Sequence, residues 1–202
     1  FKAAYALPPA QYRAQMKLFV QEREEITMSD IKGWLITGTT PDQYRASLDT
    51  RIYNKGKKSV CFQSVAGEQM DPNHFGTLMQ QFQANNYLGK RMRFSGFVRT
   101  ERVTDWCGLW MRIDDKLQNT LGFDNMQSRS IKGTVEWNYY ACVLDIPLEA
   151  DCISIGILLS GPGTVWLDDC TFEEVGTDIP VTDSRARTEV FPSEPQNLKF
   201  EA

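Results

Sequence analysis

The sequence predicts a mainly β chain: an antiparallel β-sandwich or jelly roll preceded by one N-terminal helix. Three observations carry that prediction. From Gly33 onward, apolar residues recur with period two, the signature of strands with one buried face. The runs follow one another at fairly even spacing, with turn-forming residues between them and no helical run in the interval. Residues 9–25 carry a different period, close to that of an α-helix.

The helix is expected to open at Pro9, because proline suits a first helical position. Tyr12, Met16, Phe19 and Val20 then share one face, and Glu22-Arg23-Glu24-Glu25 closes the segment in water. The expected strands are Trp34–Thr37, Tyr44–Asp49, Lys58–Ser64, Gly76–Gln83, Lys90–Thr100, Trp106–Asp114, Asn119–Phe123, Tyr139–Ile146, Cys152–Ser160 and Thr164–Glu173. Asn54-Lys55-Gly56, Asp71-Pro72-Asn73, Asn85-Asn86, Asp114-Asp115 and Gly161-Pro162-Gly163 separate them, each rich in residues that accept turn geometry. After Val175 the alternation fades, and residues 176–195 read as an extended tail, with Asn197–Glu201 as a candidate terminal strand.

Alternation also assigns faces. Met92, Phe94 and Val98 fall on one side of their strand, with Arg91, Arg93, Phe97 and Arg99 on the other. Cys107, Leu109, Met111 and Ile113 oppose Trp106, Trp110, Arg112 and Asp114. Ile153, Ile155, Ile157 and Leu159 oppose Ser154, Gly156 and Ser160. In the closing strand Val165 and Leu167 keep the core phase, so Trp166 points away from it. A register slip of one residue would exchange every one of these assignments.

The outward set of Arg93, Trp106, Trp110, Arg112 and Asp114 is the candidate ligand-binding group. Indole rings stack on apolar ligand faces, and guanidinium and carboxylate groups fix hydroxyls or carboxylates by charge-assisted bonds. A second reading stays open: an outer face of this composition also suits packing beneath the connector helix or the tail. Asp168-Asp169 is a calcium candidate, with a polar strand end as its alternative. Asp124-Asn125 suits an Asx turn at the end of its strand. No cofactor is implied by the pattern. There is no phosphate loop, no nucleophile elbow and no helix-borne metal motif, so no enzyme is expected.

Composition narrows the classes further. Hydrophobic residues make up 42% and charged residues 24% of the 202 residues, the balance of a globular protein. The net charge of −4 offers no basic surface for nucleic acid. No apolar run approaches the roughly 20 residues that span a bilayer, so no membrane partner is expected. Cys61, Cys107, Cys142, Cys152 and Cys170 are odd in number and lie inside β-like runs, as reduced thiols of a cytoplasmic protein do. The single histidine, His74, sits in a turn and completes no zinc set with them.

Two stretches resemble known families. Phe1, Lys2, Tyr5, Pro9, Tyr12 and Arg13 resemble the closing segment of AraC-type DNA-binding domains, with Ala6 where that family usually has glycine. Residues 33–175 resemble galactose-binding-like jelly rolls of carbohydrate-binding modules. The features that carry this are Gly33-Trp34, the Gly108–Arg112 stretch after Trp106, Phe123–Met126, Trp137 with Tyr140 and Val143–Asp145, and Gly163–Asp169. Together the resemblances imply a bacterial AraC-type transcriptional regulator. Residues 1–13 would end its DNA-binding domain, 14–32 would form a helical connector, 33–175 an effector-binding jelly roll and 176–202 an extended tail. The implied effector is an unidentified small molecule, with a sugar among the candidates. DNA would be contacted only through the upstream domain, and a homodimer is compatible with the pattern. The alternatives are a carbohydrate-binding module and a ligand-free dimerisation or interaction domain.

Overall fold

The computed structural model describes residues 31–65 and 74–184. The expected N-terminal helix, the AraC-like segment, the connector up to residue 30 and the tail beyond residue 184 lie outside those residues. Nine antiparallel strands carry the described chain: β1 (Leu35–Gly38), β2 (Tyr44–Asp49), β3 (Ser59–Ser64), β4 (Phe75–Gln83), β5 (Arg91–Asp115), β6 (Thr120–Asp124), β7 (Ile131–Asp145), β8 (Ala150–Ser160) and β9 (Thr164–Glu174). Among the described residues, helical structure is limited to single 3-10 turns at Pro41–Gln43 and Gln127–Arg129.

The hydrogen-bonded path runs β1-β4-β8-β5-β9-β3-β2, with β6 and β7 also pairing with β5. The 25-residue β5 is what folds this path into two layers. Its first half, from Met92 to Glu101, pairs with β9. Its second half, from Trp106 to Asp115, pairs with β8, and Met111–Asp114 also pair with β6. On the other side, β7 follows β5 from Arg91 across the bend as far as Cys107. The first layer is therefore β1-β4-β8-β5-β6 and the second β7-β5-β9-β3-β2, with β5 shared.

The bend is written in irregular backbone. Register shifts against β7 fall between Val98 and Thr100, Thr100 and Val103, and Val103 and Cys107. Arg102 adopts a left-handed φ of 52° there. Bulges of this kind bend a strand and raise its twist. Thr100 repairs the broken ladder with its side chain: its hydroxyl donates to the Gly133 carbonyl at 3.0 Å and accepts from the Val135 amide at 3.1 Å. Two strands expected from the sequence, Lys90–Thr100 and Trp106–Asp114, are thus one continuous strand. The start of β7, Ile131 to Asn138, was not expected as strand, because its buried phase is interrupted by exposed polar residues.

One core fills the space between the layers. Leu78, Leu109, Met111, Ile113, Ile153, Ile157 and Leu159 enter it from the first layer, and Phe62, Phe94, Val98, Leu144 and Val165 from the second. The alternation predicted these phases in β5, β8 and β9. A buried Leu, Ile or Phe side chain is worth about 1.5–3 kcal/mol. Register is therefore pinned wherever such a row faces inward.

The two long seams between the layers are finished differently. On the β6/β7 side, residues 176–184 lie as a strap along the edge. The Thr182 amide donates to the Val143 carbonyl at 2.8 Å, and the Val143 amide donates to the Thr182 hydroxyl at 2.8 Å. The Ser184 amide reaches the Phe123 carbonyl of β6 at 2.8 Å. Arg91 donates to the carbonyls of Thr177 and Ile179 while holding Asp145 with its other nitrogens. The first part of the expected tail thus covers two strand edges whose free backbone groups would otherwise invite pairing.

On the β1/β2 side both layers lose their edge strand at the same level. β1 pairs with β4 only from Gly76 to Met79, so Gln80–Gln83 have β8 alone. β3 pairs with β9 only from Thr164 to Leu167, so β9 beyond Asp168 has β5 alone. Among the described residues, that shared shortfall leaves an opening between the layers.

Candidate ligand-binding site

The structure gathers four of the five candidate residues. Trp106, Trp110, Arg112 and Asp114 stand opposite Ser160, Gly156, Ser154 and Cys152 of β8, on the outer face of the first layer. Leu109 and Met111 point the other way into the core, so the predicted face assignment holds. Arg93 is the correction. It lies in the first half of β5, on the outer face of the second layer, where its guanidinium donates to Glu173 Oε1 at 2.8 Å. The fold of β5 puts the core between Arg93 and the indoles. The sequence alternation gave both halves of the strand a common outward phase but could not show that the strand changes layer.

The outer face of the first layer is closed rather than open. Trp106 and Trp110 are only 5% and 7% exposed, in a cluster with Phe75, Met79 and Leu158, and Phe123 packs against it. The Trp110 indole N–H donates to Thr77 Oγ1 at 2.6 Å, and the Thr77 hydroxyl donates to the Ile157 carbonyl at 2.9 Å. Gly156 makes this possible: a Cβ there would stand 2.8 Å from the indole nitrogen and 2.5 Å from the Leu78 carbonyl. Arg112 Nε donates to Asp114 Oδ2 at 2.8 Å, and Thr120 Oγ1 donates to Asp114 Oδ1 at 3.1 Å. Both members of that pair are largely out of water. The platform expected to stack a ligand thus has its indole donor satisfied and its ring surfaces covered.

Trp166 occupies the equivalent position on the second layer. It faces away from Val165 and Leu167, as its phase requires. Its indole N–H donates to Asp49 Oδ2 at 3.0 Å, and the Arg99 guanidinium lies 5.1 Å from its ring centre. Phe97 and Tyr139 meet edge to face at 5.7 Å beside it, and Tyr139 stays 50% exposed. The Arg51 amide, with the Trp166 N–H second, holds the Asp49 carboxyl below the usual carboxylate range.

Asp168 and Asp169 act as loop anchors. Asp168 Oδ2 accepts the backbone amides of Asn54 and Lys55 at 2.7 and 2.9 Å, and Asp169 pairs with the Lys55 ammonium. These partners are donors and compete with a cation for the same oxygens. Among the described residues, no group of three or more His, Cys, Asp or Glu side chains is placed to hold a metal. The Asx turn expected at Asp124-Asn125 is present: Asp124 Oδ1 accepts the Met126 amide at 2.9 Å, and Asn125 Oδ1 accepts the Gln127 amide at 3.1 Å. Asp124 also holds the Arg129 guanidinium through both oxygens. All five cysteines are free, and burial pushes the Cys61 thiol up to about 11 and the Cys107 thiol up to about 12.

The open seam holds what the sequence reading missed. A cleft of about 500 Å³ lies between Trp34, the inward side of β4 and the far end of β9. Phe82, Tyr87 and Phe172 form a three-ring cluster in its wall, with centroids 5.0–5.7 Å apart and edge-to-face angles. A smaller cleft of about 290 Å³ adjoins it, sharing Trp34 and Cys170 and bordered by Lys58, Asp168 and Asp169. One signal in the sequence pointed here. In β4 the core phase runs Leu78, Gln80, Phe82, so a glutamine sits where an apolar residue is expected.

An antiparallel two-layer sandwich with this strand order is a jelly-roll-like architecture, and the comparisons agree on the fold. A domain of the bacteriophage CBA120 tailspike protein 4 superposes with a TM-score of 0.53 at 15% identity, over 72% of this chain and 20% of that one. A family 16 carbohydrate-binding module gives 0.51 at 12% identity, over 75% of this chain and 98% of that one. The xylan-binding module CBM22-1 of Paenibacillus barcinonensis Xyn10C gives 0.50 at 13% identity, over 71% and 86%. No protein-family model matches the chain. In sequence the chain is 44% identical over all 202 residues to the uncharacterized HTH-type transcriptional regulator YbfP of Bacillus subtilis (strain 168), covering 68% of that protein. The chain belongs to this family of HTH-type transcriptional regulators.

Proposed function

We propose that the chain is the C-terminal effector part of an AraC-type regulator, in which the jelly roll takes a small molecule, a sugar being the leading class, and thereby modulates DNA binding by the upstream part. The observation that carries this reading is the extent of the relationship: it spans the jelly roll as well as residues 1–30, so the β-sandwich is part of the regulator. The AraC assignment rests on Phe1, Lys2, Tyr5, Pro9, Tyr12 and Arg13. The sugar assignment rests on the fold shared with carbohydrate-binding modules and on the aromatic and amide side chains of the cleft. An effector acts only through a difference in its affinity for two states of the regulator.

Trp106, Trp110, Arg112 and Asp114 enter this reading as a packing face. Its support is the low exposure of both indoles and the satisfied indole donor of Trp110. The second reading is an interaction domain in which these aromatics serve packing and no small molecule binds. The test uses the full-length regulator and its own promoter DNA, with affinity measured with and without a panel of neutral and anionic saccharides. A saccharide that shifts DNA affinity supports sensing. A regulator that binds none of the panel by calorimetry, and whose DNA affinity none of it shifts, overturns the sensing reading in favour of the interaction domain.

A further inference from the structure

We propose that the effector of the sensing reading above is an uncharged, hydroxyl-rich molecule of mono- or disaccharide size, bound in the open seam between Trp34 and the Phe82–Tyr87–Phe172 cluster, with Gln80 as its polar anchor. The inference rests on the sensing reading and adds a place, a charge class and a route of action to it.

The place follows from strand lengths. Where β1 and β3 stop short, the two layers part, and the resulting cleft of about 500 Å³ falls within the roughly 300–1,000 Å³ of small-molecule sites. Natural cores hold few voids larger than a water, so an opening walled by five aromatic rings, those of Trp34, Phe82, Tyr87, Phe94 and Phe172, is a departure from ordinary packing. The charge class follows from the lining. Its polar side chains are the amides of Gln80, Gln83 and Asn86, the hydroxyls of Tyr87 and Thr171 and the Cys170 thiol, and none of the described lining residues carries a charge. The adjoining smaller cleft has Lys58, Asp168 and Asp169, so the neutrality is local to the larger one. A charged ligand would lose its hydration there without an opposite charge to replace it. Hydroxyls are well served, because an amide both donates and accepts and ring faces cover the apolar side of a sugar.

Gln80 is the most informative residue. Its phase is inward, opposite Ile155, and it is half-buried. Its side chain makes no hydrogen bond with any described residue, whereas Gln81 on the outer phase donates to Ser154. An amide that faces an open cleft with no protein partner is left for water or a ligand to complete.

The route of action follows from Trp34. It is the last residue before β1, and its amide donates to the Ile31 carbonyl at 3.1 Å in a turn that uses the left-handed φ of 85° at Gly33. The tryptophan that walls the cleft therefore sits where the jelly roll meets the preceding segment. A ligand seated against it favours one position of that junction over another.

The test is titration calorimetry on the full-length regulator with cellobiose, xylobiose and lactose as neutral probes, and glucuronic acid and glucose 6-phosphate as charged ones. At least one neutral probe is expected to bind, with the charged pair binding at least tenfold more weakly. Trp34→Ala and Gln80→Leu are each expected to weaken the neutral probe by about tenfold or more, consistent with the loss of one ring contact or a buried hydrogen bond. Tyr139→Ala, on the outer face of the second layer, is expected to change nothing. Should Trp34→Ala fail to fold, Gln80→Leu decides, since an apolar residue suits its inward phase. If a neutral probe binds and Trp110→Phe weakens it while Gln80→Leu does not, the seam is the wrong place although the domain is still a sensor. Stronger binding of a charged probe overturns the charge class. If nothing in the panel binds and DNA affinity is insensitive to it, both the seam and the sensing reading fall.

Discussion

The two seams of the sandwich are built from the same kinds of strand and finished in opposite ways. The β6/β7 seam is closed by the strap of residues 176–184, by Arg91 spanning it and by the Asp124–Arg129 pair at its hairpin. Among the described residues, the β1/β2 seam is left open over the far ends of β4 and β9. The closed seam satisfies its backbone groups, while the open one carries Gln80, an inward amide with no described partner. Stability is therefore expected to concentrate at the first and ligand dependence at the second. This is the usual division between a rigid scaffold and a site that a ligand completes.

The comparison breaks most visibly in the core that both seams share. Phe94→Ala is expected to cost about 3–5 kcal/mol by urea denaturation, because Phe94 is 1% exposed and its removal leaves a cavity. At the closed seam, Asp124→Ala is expected to cost about 3 kcal/mol. It strips a 1% exposed carboxylate from the Met126 amide and the Arg129 guanidinium, and the value sits at the low end for a broken buried pair because Arg129 keeps some water. Thr182→Val is smaller, about 1 kcal/mol, since it leaves the Val143 amide without its acceptor. At the open seam, Gln80→Leu is expected to leave the unliganded stability unchanged or slightly raised. A loss comparable to that of Asp124→Ala would mean that the seam is ordinary core.

The smallest effect is acid sensitivity of the strap. The Arg91 guanidinium holds the Asp145 carboxyl below the usual carboxylate range. A depressed folded value contributes stability that is full above the unfolded value of about 4 and is lost as pH falls through the folded one. The denaturation midpoint is expected to be flat from pH 7 to about 5 and to fall below about 4. Asp145→Asn is expected to remove part of that fall, and an unchanged pH profile would separate Asp145 from the strap.

Much of this organisation was legible in the chain. Period-two runs placed the strands to within a residue or two at most ends, as at Tyr44–Asp49, because burying one face leaves alternation in the sequence. The phases of Trp110 and Trp166 were legible for the same reason. The first half of β7 was not, since its residues 132–134, 136 and 138–139 face water and leave no buried row to read. Arg93 was assigned to the wrong company because alternation gives a side of a strand and says nothing about which sheet that strand has joined. Trp34 and Gln80 carried no motif. Only the phase of Gln80 within β4 distinguished it, and that means something once the strand's inner face is known.

The sequence alone determined the mainly β class of the fold, the inward rows of β5, β8 and β9 and the outward side on which Phe97, Trp106, Trp110 and Trp166 stand, because these follow from local periodicity and the hydrophobic effect. Tertiary structure decided the rest. The bulges at Thr100 and Val103 send β5 from one layer to the other, separating Arg93 from Trp110. The early ends of β1 and β3, set where Leu35 pairs with Met79 and Val60 with Leu167, decide that the layers part beside Trp34. Both outcomes depend on which strands become neighbours, a long-range property that no single stretch of residues contains.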